Sequence, residues 1–188
     1  DYDLAIIGNS HAQMYIPSIL PFLKKNSKKA ILLPMTGCLP TLTVNIGKSC
    51  FEISKNYFKK YTSDDQIKTI LIGTTWWHKK IYNGKEFVSD TNHMLVAKSL
   101  LLLIQELNNL GKEVYLVGPI QVPLYELPQD LSRLLKFKHI NKNELDKKLK
   151  INIKIYKKNY EKVNIFLSEN LKNNYIDLSE TQCDQKYC

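Results

Sequence analysis

Leu4-Ala5-Ile6-Ile7-Gly8-Asn9-Ser10-His11-Ala12 is the stretch on which the reading of the chain turns. A short apolar run ending at glycine is the pattern of a strand buried on both faces, as in a parallel sheet. A helical pattern follows from residue 11 to about residue 25, with Ser10 at the turn and Pro17 set to weaken or bend the helix. Ser10 would then stand at the carboxyl edge of the sheet, where doubly wound folds bind ligands. A helix N-terminus at that place offers free N–H groups and a positive dipole end, which stabilise negative charge developing on an attacked carbonyl. Serine is also a common N-cap, so its position alone fits a capping role as well as a reactive one.

Working outward, strand-like runs alternate with helical stretches. Residues 30–33 read as a second strand stopped by Pro34, leading into a loop with Gly37, Cys38 and Pro40. Phe51, Tyr57, Phe58 and Tyr61 recur at helical spacing, predicting an amphipathic helix over residues 50–61. Thr69–Gly73 is the third strand, followed by an aromatic loop with Trp76, Trp77, His78 and Tyr82. Asp90, Thr91 or Asn92 can cap the next helix, which runs to about Leu110 and ends at Gly111. Glu113–Val117 is the fourth strand, closed by Gly118-Pro119; the stretch with Pro123 and Pro128 then crosses the upper rim. Residues 143–172 read as one or two lysine-rich surface helices and residues 175–178 as the fifth strand. The pattern predicts one three-layer α/β/α domain over residues 1–188, with about five parallel strands and the ligand site at their carboxyl ends.

Composition narrows the function classes. The chain has 188 residues, enough to bury a core without metals or crosslinks, and a net charge of +9. Such charge favours an acidic partner, yet Arg133 is the only arginine, and base readout and bidentate phosphate binding favour guanidinium over lysine. Nucleic acid is therefore not the expected partner, and a solvated lysine face explains the charge. The most apolar run, Leu100 to Ile104, is too short to span a bilayer. The chain opens on Asp1-Tyr2-Asp3 with no secretory signal, as expected of a piece cut from a longer protein. Four cysteines fall into two local pairs, Cys38 with Cys50 and Cys183 with Cys188, which points to disulfides and an oxidising compartment. Zinc is the competing reading, though neither pair has Cys-x2-Cys spacing. No cofactor is expected. A nucleotide-binding flavodoxin-like domain would need phosphate-loop glycines, and the first turn has only Gly8.

Gly8-Asn9-Ser10-His11-Ala12 resembles the Gly-Asp-Ser-His block of SGNH hydrolases, and the chain resembles the SGNH domain fused to acyltransferase family 3 membrane proteins. Four more blocks follow in the family's order. They are Met35-Thr36-Gly37-Cys38-Leu39-Pro40, the run from Ile70 to Trp76, Val114-Tyr115-Leu116-Val117-Gly118-Pro119, and Tyr175-Ile176-Asp177 leading to Cys183. The resemblance covers most of the chain and implies the flavodoxin-like SGNH hydrolase fold. It also implies Ser10 as nucleophile, with Ser10 N–H, Gly37 N–H and Trp76 as oxyanion donors. Two departures stand out. Asn9 replaces the common aspartate, and the third block, Gly73-Thr74-Thr75-Trp76, lacks the family's asparagine. The alternative role for Trp76 is a buried aromatic filling the rim.

In this family the base histidine and its aspartate form an Asp-x-x-His segment soon after the second cysteine pair, so they are expected beyond Cys188. Asp90-Thr91-Asn92-His93 has that spacing but precedes the central helix, where it reads as a cap. His11 is adjacent to Ser10 on the helix and does not face it, so it braces the turn instead. His78 is either a substrate contact or simply exposed, and His139 has no supporting context. Trp76, Trp77 and Tyr82 offer either a platform for a sugar ring or rim packing.

The resemblance implies an O-acyltransferase, O-acetyl in the first instance, acting on a cell-envelope glycan such as the O-antigen of lipopolysaccharide. It implies a periplasmic or extracellular location, an acyl donor delivered by a membrane acyltransferase module, and a glycan acceptor. A carbohydrate O-acyl esterase would use the same residues with water as acceptor, and a non-catalytic glycan-binding domain is the reading if the base is absent altogether.

Overall fold

The computed structural model describes residues 2–120, 133, 136, 141, 144 and 150–188. The stretch with Pro123 and Pro128 and the residue His139 lie outside the described residues. In chain order the elements are β1 (Leu4–Gly8), α1 (Ser10–Met14), α2 (Ile16–Lys25), β2 (Ala30–Pro34), α3 (Lys48–Ser63), β3 (Thr69–Gly73), β4 (Lys80–Tyr82) and β5 (Phe87–Ser89). After them come α4 (Met94–Asn109), β6 (Glu113–Val117), α5 (Ile153–Leu171), a 3-10 turn (Lys172–Asn174), β7 (Tyr175–Ile176) and α6 (Ser179–Gln182).

Five strands pair in parallel in the order β2-β1-β3-β6-β7, giving the α/β architecture of the SGNH hydrolase fold. Because side chains alternate along a strand, Ala5, Ile7, Ile70, Ile72, Val114 and Leu116 share one face. They form the main core with Leu100, Ile104 and Leu107 of α4 and Val163 and Leu167 of α5. α2 lies toward the opposite face, where Ile6 and Leu32 share a recess with its Ile16, Ile19 and Leu23. With both faces of the central strands covered, the continuous apolar runs of β1 and β3 need no polar alternation.

The carboxyl ends of β1 and β3 meet at a pair of glycines, Gly8 opposite Gly73. Gly8 has φ +142, and a Cβ there would lie 1.7 Å from the Gly73 carbonyl oxygen. A Cβ on Gly73 would lie 2.9 Å from Ala12 Cα and 2.8 Å from the Tyr15 ring. The bare glycines let the first turn of α1 sit directly on the strand ends.

The strands fall as the sequence pattern predicts, with β2 one residue longer and β7 two shorter. β2 is an edge strand, where a terminal proline is tolerated. β7 stops before Asp177, whose carboxylate accepts from Ser179 N at 2.8 Å and starts a turn. Three helical or loop readings need correction. The single helix expected over residues 11–25 is two helices broken at Tyr15, because Pro17 has no N–H for the Gln13 carbonyl and begins a new helix instead. The aromatic loop contains the β4–β5 hairpin, whose two strands pair antiparallel. α5, expected within one or two surface helices, turns a stripe of Tyr156, Tyr160, Val163 and Leu167 into the core while its other faces stay largely exposed.

Gly8→Ala should lower the unfolding free energy by about 3 kcal/mol or more, since steric overlap adds to backbone strain. Gly37→Ala, at φ +72 with open space around it, should cost only about 1 kcal/mol. Urea denaturation of the two variants tests this order, and equal losses would contradict the close approach.

Candidate active site

Asn9, not Ser10, is the N-cap of α1: its Oδ1 accepts from His11 N at 3.1 Å. Its amide Nδ2 donates to Thr75 Oγ1 at 3.0 Å and, at the longer distance of 3.4 Å, to Thr74 Oγ1. Asn9, Thr74 and Thr75 are all buried. A carboxylate could not donate to those hydroxyls, so the two departures from the SGNH pattern meet at one place and complement each other. With capping done by Asn9, Ser10 stands exposed at the first helical position, and its hydroxyl makes no hydrogen bond among the described residues. Its backbone N–H is one of the orphan donors of the helix start.

The loop that carries Gly37 is tied to this turn. Met35 N donates to the Gly8 carbonyl at 2.7 Å, and Cys38 N to the Met35 carbonyl at 2.8 Å. Gly37 sits between those two links, exposed, with its own N–H unbonded among the described residues. The Cys38–Cys50 disulfide joins this loop to the first turn of α3. Asn45, fully buried, finishes the loop: Oδ1 accepts from Leu39 N and Ile46 N, while Nδ2 donates to the Leu39 carbonyl and Ser54 Oγ. Asn45 also bridges to Tyr82 of the hairpin. Nothing in the sequence singled out Asn45, because its partners are brought to it only by the folded loop.

All four cysteines are in disulfides, Cys38–Cys50 and Cys183–Cys188, which leaves no thiolate for zinc and overturns that alternative. No described helix is long and apolar enough to cross a membrane.

Trp76 is 2% exposed and packs in the main core, with its indole N–H lacking an acceptor among the described residues. Trp77 is 44% exposed and meets the His11 ring edge-on at 4.9 Å. Tyr82 instead leans on Phe51 and Phe87. The structure therefore does not assemble Trp76, Trp77 and Tyr82 into one platform; Trp77 alone offers an open ring beside the Ser10 turn.

Asp90-Thr91-Asn92-His93 acts as a cap. Asp90 accepts from Leu95 N at 3.0 Å and Val96 N at 3.1 Å, so both its oxygens serve the start of α4. His93 occupies the N-cap position at φ +59 and stacks on Tyr160 at 5.4 Å, with its buried Nδ1 lacking a partner among the described residues. Among the described residues no carboxylate lies in ion-pair contact with a histidine. Burial lowers the pKa of His11, with the nearby His78 charge adding to it. Burial also lowers His78, and in His93 it outweighs the opposing influence of Asp90 and the His78 backbone.

The family described as "SGNH domain (fused to AT3 domains)" matches residues 1–188. No curated protein matches the chain.

Two predictions follow from this geometry. Asn9→Ala should cost about 1–3 kcal/mol through loss of the cap and the threonine bonds, whereas Asn9→Asp should cost under about 1 kcal/mol because the hydroxyls can turn to donate. Thermal melts of both variants would show the contrast, and an equal drop would sink the bonding scheme. The histidines bear on acid stability. Their folded pKa values lie below the ordinary 6.5, so the unfolded chain binds more protons as pH falls through that value. The stabilisation is complete above about pH 6.5 and is lost on acidification toward the lowered folded values. Urea midpoints should drop between about pH 7.5 and about pH 5, less so in His93→Gln, and a flat wild-type profile would refute this.

Proposed function

Since the chain belongs to the family of SGNH domains fused to AT3 domains, a hydrolase- and acyltransferase-like group, we propose that it transfers an acyl group, acetyl in the first instance, to a hydroxyl of a cell-envelope glycan. The observation that carries this reading is the free Ser10 hydroxyl at a helix start on the carboxyl edge of the sheet, with the loop that carries Gly37 tied to the neighbouring Gly8. The fusion points to a membrane acyltransferase module as the source of the acyl group. Two disulfides fit an extracytoplasmic location, and the O-antigen of lipopolysaccharide is the kind of acceptor proposed.

In the proposed chemistry Ser10 Oγ attacks the donor's acyl carbonyl while its proton passes to a histidine base. Negative charge on the carbonyl oxygen is held by Ser10 N–H and Gly37 N–H. The indole N–H of Trp76 is proposed as a third donor: a buried donor without a partner costs about 1–3 kcal/mol, and an oxyanion within reach would remove that cost. The tetrahedral adduct then collapses, the donor's leaving group departs with the proton, and an ester on Ser10 remains. A glycan hydroxyl, deprotonated by the same base, attacks that ester and releases Ser10. The base is proposed to be the histidine of the family's Asp-x-x-His segment; Asp90 and His93 are engaged at the start of α4. Trp77, open beside Ser10, is suited to stack on the acceptor ring.

The test uses the full-length membrane protein with acyl donor and glycan. Wild type should form an acyl-Ser10 peptide detectable by mass spectrometry and an acylated glycan, and Ser10→Ala should lower transfer by at least about 1,000-fold with folding intact. Unchanged transfer in Ser10→Ala would refute the nucleophile. Acyl recovered only as free acid would replace the transferase by the esterase.

A further inference from the structure

The far end of the same sheet edge holds an open cavity of about 360 Å³, at the small end of the range for small-molecule sites. It lies where β7 gives way to Asp177 and the short α6, against one side of α5. Tyr156, Lys157, Glu161, Asn164, Asp177 and Gln185 line it.

Its walls are built rather than incidental. The Cys183–Cys188 disulfide closes a short loop, inside which Asp184 accepts from Lys186 N and Tyr187 N at 2.6 Å. That loop is fastened to the chain leading into α5 by Ile151 N to the Cys188 carbonyl at 2.9 Å, Cys188 N to the Ile151 carbonyl at 2.8 Å, and Ile153 N to the Lys186 carbonyl at 2.9 Å. Behind it runs a buried polar chain. The Tyr175 hydroxyl donates to Asn164 Oδ1 at 2.7 Å, Asn164 Nδ2 donates to the Tyr156 hydroxyl at 2.9 Å, and that hydroxyl donates to the Pro119 carbonyl at 3.2 Å. Gly118 makes room for the chain, since a Cβ there would lie 2.3 Å from the Tyr175 oxygen.

Asn164 is 9% exposed, and among the described residues it uses one of two amide hydrogens and one of two oxygen lone pairs. Among the described residues, one donor and one acceptor of this buried amide remain for a ligand entering the cavity it lines. Lys157 and Gln185 add donors, while Glu161 and Asp177 add acceptors. Neighbouring donors and acceptors match a polyol, whose every hydroxyl both donates and accepts. Among the lining residues Glu161, Asp177 and Asp184 stand against the ammonium of Lys157; Lys150 and Lys186 offset Asp184 from outside the cavity, and Glu161 and Asp177 disfavour an anionic ligand.

We propose that this cavity binds an uncharged hexose residue of the glycan acceptor, an inference that rests on the acceptor class put forward above. β7 lies three strand spacings from β1, about 14 Å along the rim at about 4.8 Å per strand. A sugar held here would steer another residue of the same glycan chain, a few units away, to Ser10. The cavity is thus an anchoring subsite that selects polymer over free monosaccharide.

The test is nuclear magnetic resonance of the nitrogen-15-labelled chain, following the side-chain amides of Asn164 and Gln185. Methyl β-glucopyranoside and methyl N-acetyl-β-glucosaminide should shift both signals, and glucuronate should bind at least about tenfold more weakly. Lys157→Ala and Gln185→Ala, both at exposed positions, should each weaken the neutral sugars by about fivefold or more with the fold intact, and Ser10→Ala should bind as wild type does. The proposal is overturned if neutral sugars leave both amides unmoved, if glucuronate binds as well as they do, if the two surface variants bind normally, or if Ser10→Ala loses binding. Failure of the acyl-enzyme reading would instead appear as an unlabelled Ser10 with these shifts unchanged.

Discussion

The contact between Ala12 and the glycines that end β1 and β3 governs where Ser10 can stand. Gly8 and Gly73 oppose each other across the ladder, and neither has room for a methyl group. Because the helix start rests on the strands without a layer of side chains between them, α1 is held at the carboxyl edge and cannot slide outward. The hydroxyl of Ser10 is then presented by geometry, and its exposure does not require a lid or a rearranged loop.

Around that contact, polar groups do the fine positioning. Asn9 faces both ways, accepting from the helix start and donating to the threonines that follow β3. A family that mostly uses aspartate here relies on an acceptor alone. This chain exchanges the charge for a donor, and Thr74 and Thr75 are the residues that make the exchange useful. The neighbouring loop is held more firmly still, by the Cys38–Cys50 crosslink, worth about 3 kcal/mol for a loop of this length, and by the four bonds of Asn45. Gly37 thus sits on a fixed support, which suits the oxyanion role proposed for it, since preorganised donors act without reorganising during the reaction.

The rim has two unlike ends. Near Ser10 it is aromatic, with Trp77 exposed against His11 and with histidines whose pKa values are lowered by burial. Near β7 it is polar, with a tyrosine–asparagine chain behind a crosslinked loop. A stacking surface at one end and a hydrogen-bonding recess at the other suit the two properties of a sugar, its apolar ring face and its equatorial hydroxyls.

The sequence by itself determined the parallel sheet, the position of Ser10 at its carboxyl edge and the pairing of the cysteines, because each depends on local pattern: apolar runs, turn residues and short spacing. The capping role of Asp90 was legible for the same reason, since its partners are a few residues away. Tertiary structure alone decided the rest. Ser10 could be told from an N-cap only once Asn9 was seen to take that role, and the reason Asn9 can replace aspartate lies 65 and 66 residues away in Thr74 and Thr75. Likewise Trp76 and Trp77, adjacent in sequence and equal in chemistry, part company at the end of β3, one into the core and one to the rim. Successive side chains in extended backbone point opposite ways, and which way is inward is set by the elements packed on the sheet.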